Sequence, residues 1–244
     1  MYSVLIVGYN SANPANNSII VTRDASTGSI SSEMIDCPIP DIVQYAPATR
    51  VGDTVYVFGG CNNGDALTIS DKVWGQVERQ GPWPEARWFH SAFSLDGMLY
   101  IAGGCGVRDC WCYHPDTGVW TQMPDAPEGF GLSATVEVGD TVHFIGSEWN
   151  MQMHLTFSVT GGWVREPDLP FQCMRAGAVC VDEDIYILGG YCTPSQVWHY
   201  STHAREWSVA GQLPIPARQC RACLIGPRTV LVCSDTQMMV GDVS

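Results

Sequence analysis

The sequence predicts an all-β fold built from repeated four-stranded units, and three observations carry that prediction. A short apolar strand that ends in glycine recurs along the chain, as in "VYVFGGCN", "LYIAGGCG" and "IYILGGYC". The copies are evenly spaced, because steps of 51, 44, 43, 43 and 45 residues separate Gly8, Gly59, Gly103, Gly146, Gly189 and the equivalent Ser234. No segment keeps the apolar spacing of a helix. A period of about 40 to 50 residues is typical of the blades of a β-propeller.

Each repeat contains the same four strand-like segments. A short alternating segment such as "HSAFSLDG" or "LSATVEVGD" comes first, and the glycine-ended strand follows it. The third segment carries an aromatic residue, and the fourth opens with Trp120, Trp163 or Trp207. Proline-rich segments such as "EPDLPF" then lead to the next repeat. One such sheet cannot bury both of its faces alone, so the sheets are expected to pack face to face in a ring.

This pattern resembles the kelch repeat of β-propellers, and the resemblance covers essentially the whole chain. It rests on the double glycines that begin at Gly59, Gly103 and Gly189, with tryptophans at similar distances behind them. The first, second, fourth and sixth copies depart from the pattern: the second has Trp74 two residues early, and the fourth has "GS" in place of "GG". The resemblance implies that the glycines allow close backbone approach and that the aromatic rings pack between blades, as the physics of these residues also requires.

The chain is expected to form a single kelch-type β-propeller domain over residues 1–244. The first copy begins at the second strand of a repeat, and the last copy is incomplete. Strands from both ends are therefore expected to close the ring, since terminal repeats are commonly atypical. The repeat count favours six blades of four antiparallel strands, with five blades as the alternative.

The charge and cysteine content exclude several classes of partner. Twelve basic residues against 25 acidic ones give a net charge of -13, which argues against binding to nucleic acid or to anionic membranes. No apolar run approaches the roughly 18 residues of a membrane span. The 11 cysteines are odd in number and lie mostly in apolar strand patterns, and the first residues do not resemble a signal peptide. The expectation is a cytoplasmic protein with no nucleic-acid or membrane partner.

The resemblance implies a binding surface at one mouth of the central channel. Peptide-binding kelch proteins use two positions per repeat there, one just after the double glycine and one near the start of the innermost strand. Trp88 and Trp149 are added to the predicted binding residues because exposed indoles anchor protein partners well. The alternative for both tryptophans is burial between blades. The binding residues predicted in this way are Tyr45, Asn62, Asn63, Trp88, His90, Glu148, Trp149, Arg175, Tyr191, Arg218 and Arg221.

Three of the predicted binding residues are arginines on an otherwise acidic molecule. Arg175, Arg218 and Arg221 would together form an anion site, because guanidinium groups pair with carboxylates through two hydrogen bonds. Such a site favours an acidic peptide segment or a small carboxylate ligand. The alternative is that these arginines pair with local carboxylates such as Glu148 or Asp235 and only order the loops.

No catalytic residue, metal site or cofactor is predicted. His90 stands alone, and a lone histidine is more often a structural residue than a general base. The motifs "CWC" and "CRAC" lack the second ligand pair that a zinc site needs, and free cysteines usually behave as small buried hydrophobes. Cys61, Cys105 and Cys192 occupy a similar slot near the channel mouth, where a neighbouring arginine would make a thiol more reactive.

The predicted function is that of a protein–protein interaction module, a scaffold or adaptor that binds a partner peptide or loop at one mouth of the propeller. Many members of the resembled family are substrate adaptors of ubiquitin ligases, and a role in a cytoskeletal assembly fits equally well. Two alternatives stay open: a small-molecule or sugar-acting enzyme with its site in the central channel, and a structural propeller that contacts neighbours through its outer edges. A closed pocket of ionisable side chains would favour the enzyme. An open rim of aromatic and arginine side chains would favour the interaction module.

Overall fold

The computed structural model of the chain describes residues 2–6, 18–35, 46–60, 66–70, 73–77, 84, 87–234 and 237–243. Within those ranges the regular elements are β-strands in six antiparallel sheets, and none of the described residues forms a helix that could cross a membrane. Sheets 2 to 5 have four strands each, whereas sheets 1 and 6 have three. The predicted all-β class with four-stranded antiparallel blades is confirmed. Tyr45, Asn62 and Asn63 lie outside the described residues.

Sheets 1 to 3 come from the first half of the chain, and neighbouring strands in the sequence are neighbours in each sheet. Sheet 1 contains β1 (Tyr2–Ile6), β2 (Ser18–Arg23) and β3 (Ile30–Ile35). Sheet 2 contains β4 (Ala48–Val51), β5 (Thr54–Phe58), β6 (Ala66–Ser70) and β7 (Val73–Gln76). Sheet 3 contains β8 (Ser91–Leu95), β9 (Met98–Ala102), β10 (Cys110–His114) and β11 (Val119–Met123).

Sheets 4 to 6 repeat the same meander in the second half of the chain. Sheet 4 contains β12 (Ala134–Val138), β13 (Thr141–Ile145), β14 (His154–Ser158) and β15 (Gly162–Arg165). Sheet 5 contains β16 (Gly177–Val181), β17 (Asp184–Leu188), β18 (Gln196–Ser201) and β19 (Glu206–Gln212). Sheet 6 contains β20 (Cys220–Leu224), β21 (Thr229–Ser234) and β22 (Met238–Asp242).

The first strands of sheets 2 to 6 lie side by side at the centre of the ring. Strand β4 contacts β8, β8 contacts β12, and the same relation continues from β12 through β16 to β20. These innermost strands therefore surround the channel, and the fourth strand of each complete sheet lies on the circumference. The loops that join β9 to β10, β13 to β14 and β17 to β18 all lie at one end of the channel, together with the linkers that lead into the next sheet.

Aromatic side chains fill the space between neighbouring sheets. The cluster between sheets 3 and 4 is built around Phe93, Phe144 and Phe157, which are fully buried. The ring of Trp163 lies 4.9 Å from that of Phe157, and its indole N–H donates a hydrogen bond to the Pro124 carbonyl of the preceding repeat at 3.0 Å. Burying one phenylalanine completely contributes about 1.5–3 kcal/mol, so these clusters hold adjacent sheets together.

Sheets 1 and 6 contact each other through apolar side chains. Ile19 and Val21 of β2 pack against Ile225, Leu231 and Cys233 in one buried cluster. The described residues thus bring the two ends of the chain together by side-chain packing between two three-stranded sheets. That strands from both ends share one blade stays a prediction.

The first glycine of a repeat lies where the linker to the next sheet crosses it. A Cβ on Gly189 would be 2.6 Å from the carbonyl oxygen of Ala217, and one on Gly146 would be only 2.0 Å from that of Cys173. The linker is also close enough to bond with the next residue, since the Gly190 N–H donates a hydrogen bond to the Ala217 carbonyl at 2.9 Å. No side chain fits at such distances, which explains why this position recurs as glycine in the sequence.

A buried ion pair fixes the linker ahead of sheet 3. The Arg87 side chain is 7% exposed, and its guanidinium donates two hydrogen bonds to the Asp109 carboxylate, one of them at 2.7 Å from Nη2 to Oδ2. It also donates to the Gly103 carbonyl at 3.3 Å, while the Trp111 indole donates to Asp109 at 3.0 Å. Burial would raise the pKa of Asp109, but these donors outweigh it and lower that pKa. The pair joins the linker to the loop between β9 and β10.

Two histidines form a buried pair between sheets 4 and 5. The Nδ1 atom of His143 lies 2.9 Å from Nε2 of His154, and the rings of Tyr200 and Trp207 pack around them. One imidazole must donate and the other accept, so this bond requires that at least one ring is neutral. Burial lowers the pKa of both histidines, and neighbouring positive charges lower that of His154 further.

This pair predicts an acid-sensitive stability. Because the folded state lowers both pKa values below the ordinary value of 6.5, the stabilisation is complete above pH 6.5 and is lost as the pH falls. Between pH 6.5 and the lowered pKa values, which are about 4 for His143 and about 3 for His154, each histidine is expected to contribute a loss of about 1.4 kcal/mol in the free energy of unfolding per pH unit. Urea unfolding between pH 7 and pH 5 measures this slope.

The matched variants separate the pair from other titrating groups. The double variant His143→Phe, His154→Leu should have a distinctly smaller slope, whereas His203→Gln, which changes an exposed histidine, should keep the slope of the unmodified chain. An unchanged slope in the double variant would mean that the pair is not the source of the acid sensitivity.

Candidate functional site

A chain of backbone hydrogen bonds runs around one mouth of the channel. Phe89, Leu132 and Arg175 all have left-handed backbones, with φ of 65°, 56° and 56°. The Leu132 N–H donates to the Phe89 carbonyl at 2.9 Å, that of Arg175 to Leu132 at 3.0 Å, and that of Cys220 to Arg175 at 3.1 Å. Each of these four residues lies the same number of residues before the first glycine of its repeat, or before Ser234 in the last copy. The bonds hold them on a common rim of the mouth, and we call these four positions the rim series.

His90 lies one residue beyond the rim position of its repeat and is buried. A Cβ on Gly59 would be 2.8 Å from the ring of His90, and one on Gly104 would be 2.8 Å from its Cβ. Burial, followed by the charge of Arg87, lowers the pKa of His90 to about 3. In sheet 3 the side chain that belongs to the rim series is therefore that of Phe89.

Two exposed indoles form what we call the indole sector, which consists of Trp88 and Trp149. Trp88 is 41% exposed and Trp149 is 50% exposed. The ring of Trp149 covers Gly106, where a Cβ would meet it at 3.0 Å, and the Cys105 Sγ donates to the Trp88 carbonyl at 3.4 Å. Both tryptophans therefore flank the loop between β9 and β10 and present large apolar surfaces to solvent.

A serine positions the loop that carries Trp149. Ser147 replaces the second glycine in its repeat and is fully buried. Its hydroxyl oxygen accepts hydrogen bonds from the N–H groups of Gly131 at 3.2 Å and Trp149 at 3.3 Å. The serine that replaces the second glycine thus supplies a hydrogen-bond acceptor, which joins the loop that carries Trp149 to the linker that carries Gly131.

The guanidinium sector consists of Arg175, Arg218, Gln219 and Tyr191, on the mouth beside sheets 5 and 6. The Arg175 Nη1 donates to the Gln219 Oε1 at 2.7 Å, and its guanidinium carbon lies 5.6 Å from the ring centroid of Phe89. Arg218 is exposed and lies 5.9 Å from the ring centroid of Tyr191, which is 50% exposed. Neither arginine forms an ion pair with a carboxylate among the described residues. Aromatic and amide contacts therefore hold both guanidinium groups at the mouth, where Arg218 is exposed and Arg175 is half-buried.

The other two charged residues of the predicted set, Glu148 and Arg221, are both exposed. Glu148 is exposed beside Trp149, and its N–H donates to the Gly131 carbonyl at 3.2 Å. Arg221 is exposed on the innermost strand β20, opposite Cys233 in β21. The alternative, in which these arginines pair with Glu148, is not seen among the ion pairs of the described residues, and Asp235 lies outside those residues.

The thiols near the mouth do not form a metal centre within the described part of the chain, where no three His, Cys, Asp or Glu side chains converge on one point. The nine described cysteines are free thiols. Cys105 is exposed, whereas burial raises the pKa of the Cys192 thiol, which lies 3.8 Å from the sulfur of Met151. For Cys192 this shift is opposite to the arginine activation that was hypothesised, and Cys61 lies outside the described residues.

Two residues of the mouth were missed from the sequence. Phe89 supports the guanidinium of Arg175, and Gln219 accepts a hydrogen bond from it. Phe89 would have been found by applying the offset of Arg175 from its glycine to every repeat without variation. Gln219 has no sequence signal, because it reaches Arg175 only through the packing of sheet 6 beside sheet 5.

Comparison with known proteins supports the repeat assignment. A family model described as the Kelch motif matches residues 87–127 and 172–214, which include sheets 3 and 5. Kelch-like protein 35 of Mus musculus is 24% identical over 199 residues, covering 75% of this chain and 34% of its own length. Kelch repeat protein M-T8 of myxoma virus (strain Lausanne) is 25% identical over 206 residues, covering 78% and 40%. Kelch-like protein 23 of Homo sapiens is 22% identical over 205 residues, covering 77% and 36%.

The chain spans between a third and two-fifths of the length of these relatives. Among solved structures, that of YjhT is similar with a TM-score of 0.78 and 15% sequence identity, covering 98% of this chain and 94% of that one. At this identity the similarity concerns the fold alone. The similarity extends over nearly the full chain.

Proposed function

Since this chain is a kelch-repeat β-propeller, we propose that it is a protein–protein interaction module that holds a peptide or loop of a partner at the mouth formed by the indole and guanidinium sectors. The observation that carries this proposal is the exposure of three large aromatic side chains beside two arginines on one mouth. Tryptophan, tyrosine and arginine are the side chains that dominate binding energy in protein interfaces.

The charge of the mouth favours a partner segment with carboxylate groups. Arg175 and Arg218 are held by contacts with rings and an amide, and neither guanidinium is paired with a carboxylate among the described residues. The rest of the molecule is strongly acidic, with a net charge of -13, and would repel an acidic segment elsewhere on its surface. An acidic peptide is therefore guided to the guanidinium sector.

The biological role that we propose is that of a scaffold or substrate adaptor in the cytoplasm, which brings a bound partner to a ubiquitin ligase or into a cytoskeletal assembly. The similarity to Kelch-like proteins, which are two to three times longer, supports a role that depends on other polypeptide segments or chains. The free thiols, most of them buried, fit a reducing compartment.

Affinity capture from native cell extract tests the proposal directly. The double variant Arg175→Ala, Arg218→Ala is expected to lose at least one protein that the unmodified chain retains, with a loss of affinity of about tenfold or more per arginine. The matched control Arg50→Ala, Arg228→Ala removes two arginines from hairpin turns at the other end of the strands and should retain that protein. If the captured proteins are the same for both double variants, the binding site is not at this mouth.

A further inference from the structure

We propose that the mouth selects a bipartite segment, in which a large apolar side chain binds the indole sector and a carboxylate a few residues away binds the guanidinium sector, while Glu148 rejects segments whose carboxylate lies beside the apolar anchor. This inference rests on the proposed function and specifies the chemistry of the partner. It follows from three features of the mouth. The two sectors are adjacent, they recognise different chemical groups, and an exposed carboxylate lies beside one of them.

The two sectors are adjacent because Phe89 lies between them. The Trp149 ring and the Phe89 carbonyl oxygen would be 2.9 Å and 3.0 Å from the same point, a Cβ on Gly131. On its other side, the Phe89 ring lies 5.6 Å from the Arg175 guanidinium. A single extended segment can therefore contact both sectors, with its two recognised side chains within about four residues of each other at ~3.3 Å per residue.

The two sectors recognise different chemistry. The indoles of Trp88 and Trp149 are exposed and offer flat apolar surfaces to a large apolar side chain. Arg175 and Arg218 offer planar N–H donors to a carboxylate, and neither has a carboxylate partner among the described residues. An apolar peptide without a carboxylate, or an acidic peptide without an anchor, would satisfy only half of the mouth.

Glu148 determines on which side of the anchor the carboxylate must lie. Its side chain is exposed directly beside Trp149 and makes no hydrogen bond or ion pair with a described residue. A ligand carboxylate next to the apolar anchor would approach this negative charge, and like charges at close range disfavour binding. The same carboxylate placed toward Arg175 would be attracted.

Selection from a library of random linear peptides provides the probe, since no partner has to be known. Peptides retained by the unmodified chain and not by the double variant Trp149→Ala, Arg175→Ala are expected to combine a large apolar residue with Asp or Glu within about four positions. Enrichment of acidic residues without an apolar anchor would overturn the bipartite inference and leave the proposed function standing. Absence of any enrichment over the double variant would overturn both.

The affinity of one selected peptide is then measured with the unmodified chain and with single variants, which shows which sector each peptide side chain contacts. Trp149→Ala and Arg175→Ala are each expected to weaken binding about tenfold, and removal of the peptide's apolar residue should have little further effect in Trp149→Ala. Removal of the peptide carboxylate should likewise have little further effect in Arg175→Ala. If the peptide change weakened binding to each variant as much as it weakens binding to the unmodified chain, neither contact would exist as assigned.

The role of Glu148 has its own readout. Glu148→Gln is expected to strengthen the binding of a peptide whose carboxylate is moved beside the anchor severalfold more than it changes the binding of the selected peptide. Asp140→Asn, which removes an exposed carboxylate at a hairpin turn at the other end of the strands, is the control. Equal effects of the two variants would show that Glu148 acts only through net charge, which would overturn its assignment.

Discussion

Arg87→Met is expected to destabilise the protein by about 3–5 kcal/mol, because it leaves the partly buried Asp109 carboxylate without its main counter-charge. At about 2–4 °C per kcal/mol for a domain of this size, the midpoint of thermal unfolding should fall by roughly 6–20 °C. Differential scanning calorimetry at neutral pH measures the change.

Two further variants distinguish loss of the pair from loss of a charge. The pair of Arg50 with Asp53, at 3.0 Å, has side chains that are 61% and 98% exposed, so Arg50→Ala should cost less than about 1 kcal/mol. The double variant Arg87→Met, Asp109→Leu should recover part of the stability, since it removes both charges together. If Arg87→Met were no worse than Arg50→Ala, the buried pair would not fix the linker.

Gly146→Ala is expected to be the second severe substitution, at about 4 kcal/mol or more, the range that core disruption and backbone strain produce. The new Cβ would meet the Cys173 carbonyl oxygen at 2.0 Å, so the linker into sheet 5 would have to move away from the loop after β13. Urea unfolding at neutral pH gives the difference in the free energy of unfolding.

Gly139→Ala is the matched control for this substitution. Gly139 also has a left-handed backbone, with φ of 60° against 67° for Gly146, but a Cβ there would meet no atom within 4 Å. The control therefore includes only the backbone cost of about 1–2 kcal/mol. Equal losses in the two variants would mean that the linker yields freely and that close packing does not explain the glycine.

The repeat spacing predicted most of the fold because the same physical requirement recurs in every blade. Glycine is needed wherever a linker crosses the end of the second strand, and a large ring is needed on the fourth strand, so both leave a regular signal in the sequence. Sheets 3 and 5 follow that signal closely, and sheet 4 keeps the first glycine and the tryptophan but has Ser147 in place of the second glycine. The short sheets 1 and 6 correspond to the copies in which the signal is weak.

The mouth was predicted less completely, because its geometry depends on backbone conformation and on contacts between repeats. The left-handed backbone of Phe89 is not readable from a phenylalanine, and a shift of the offset by a single position selects the buried His90 instead. The pairing of Arg87 with Asp109 joins positions 22 residues apart that belong to no recurring motif. Trp88, Trp149 and Tyr191 are exposed, and their role in binding stays a prediction.

The backbone bonds that link Phe89, Leu132, Arg175 and Cys220 have an evolutionary consequence. They use only main-chain atoms, so they persist whichever side chains occupy these positions. At Phe89, Leu132 and Arg175 the left-handed conformation already imposes a penalty on any residue other than glycine, asparagine or aspartate, and this penalty is largest for β-branched side chains. Selection can therefore exchange the side chains that face a partner, one blade at a time, at little cost to folding. New recognition specificities would then arise by drift on an unchanged frame.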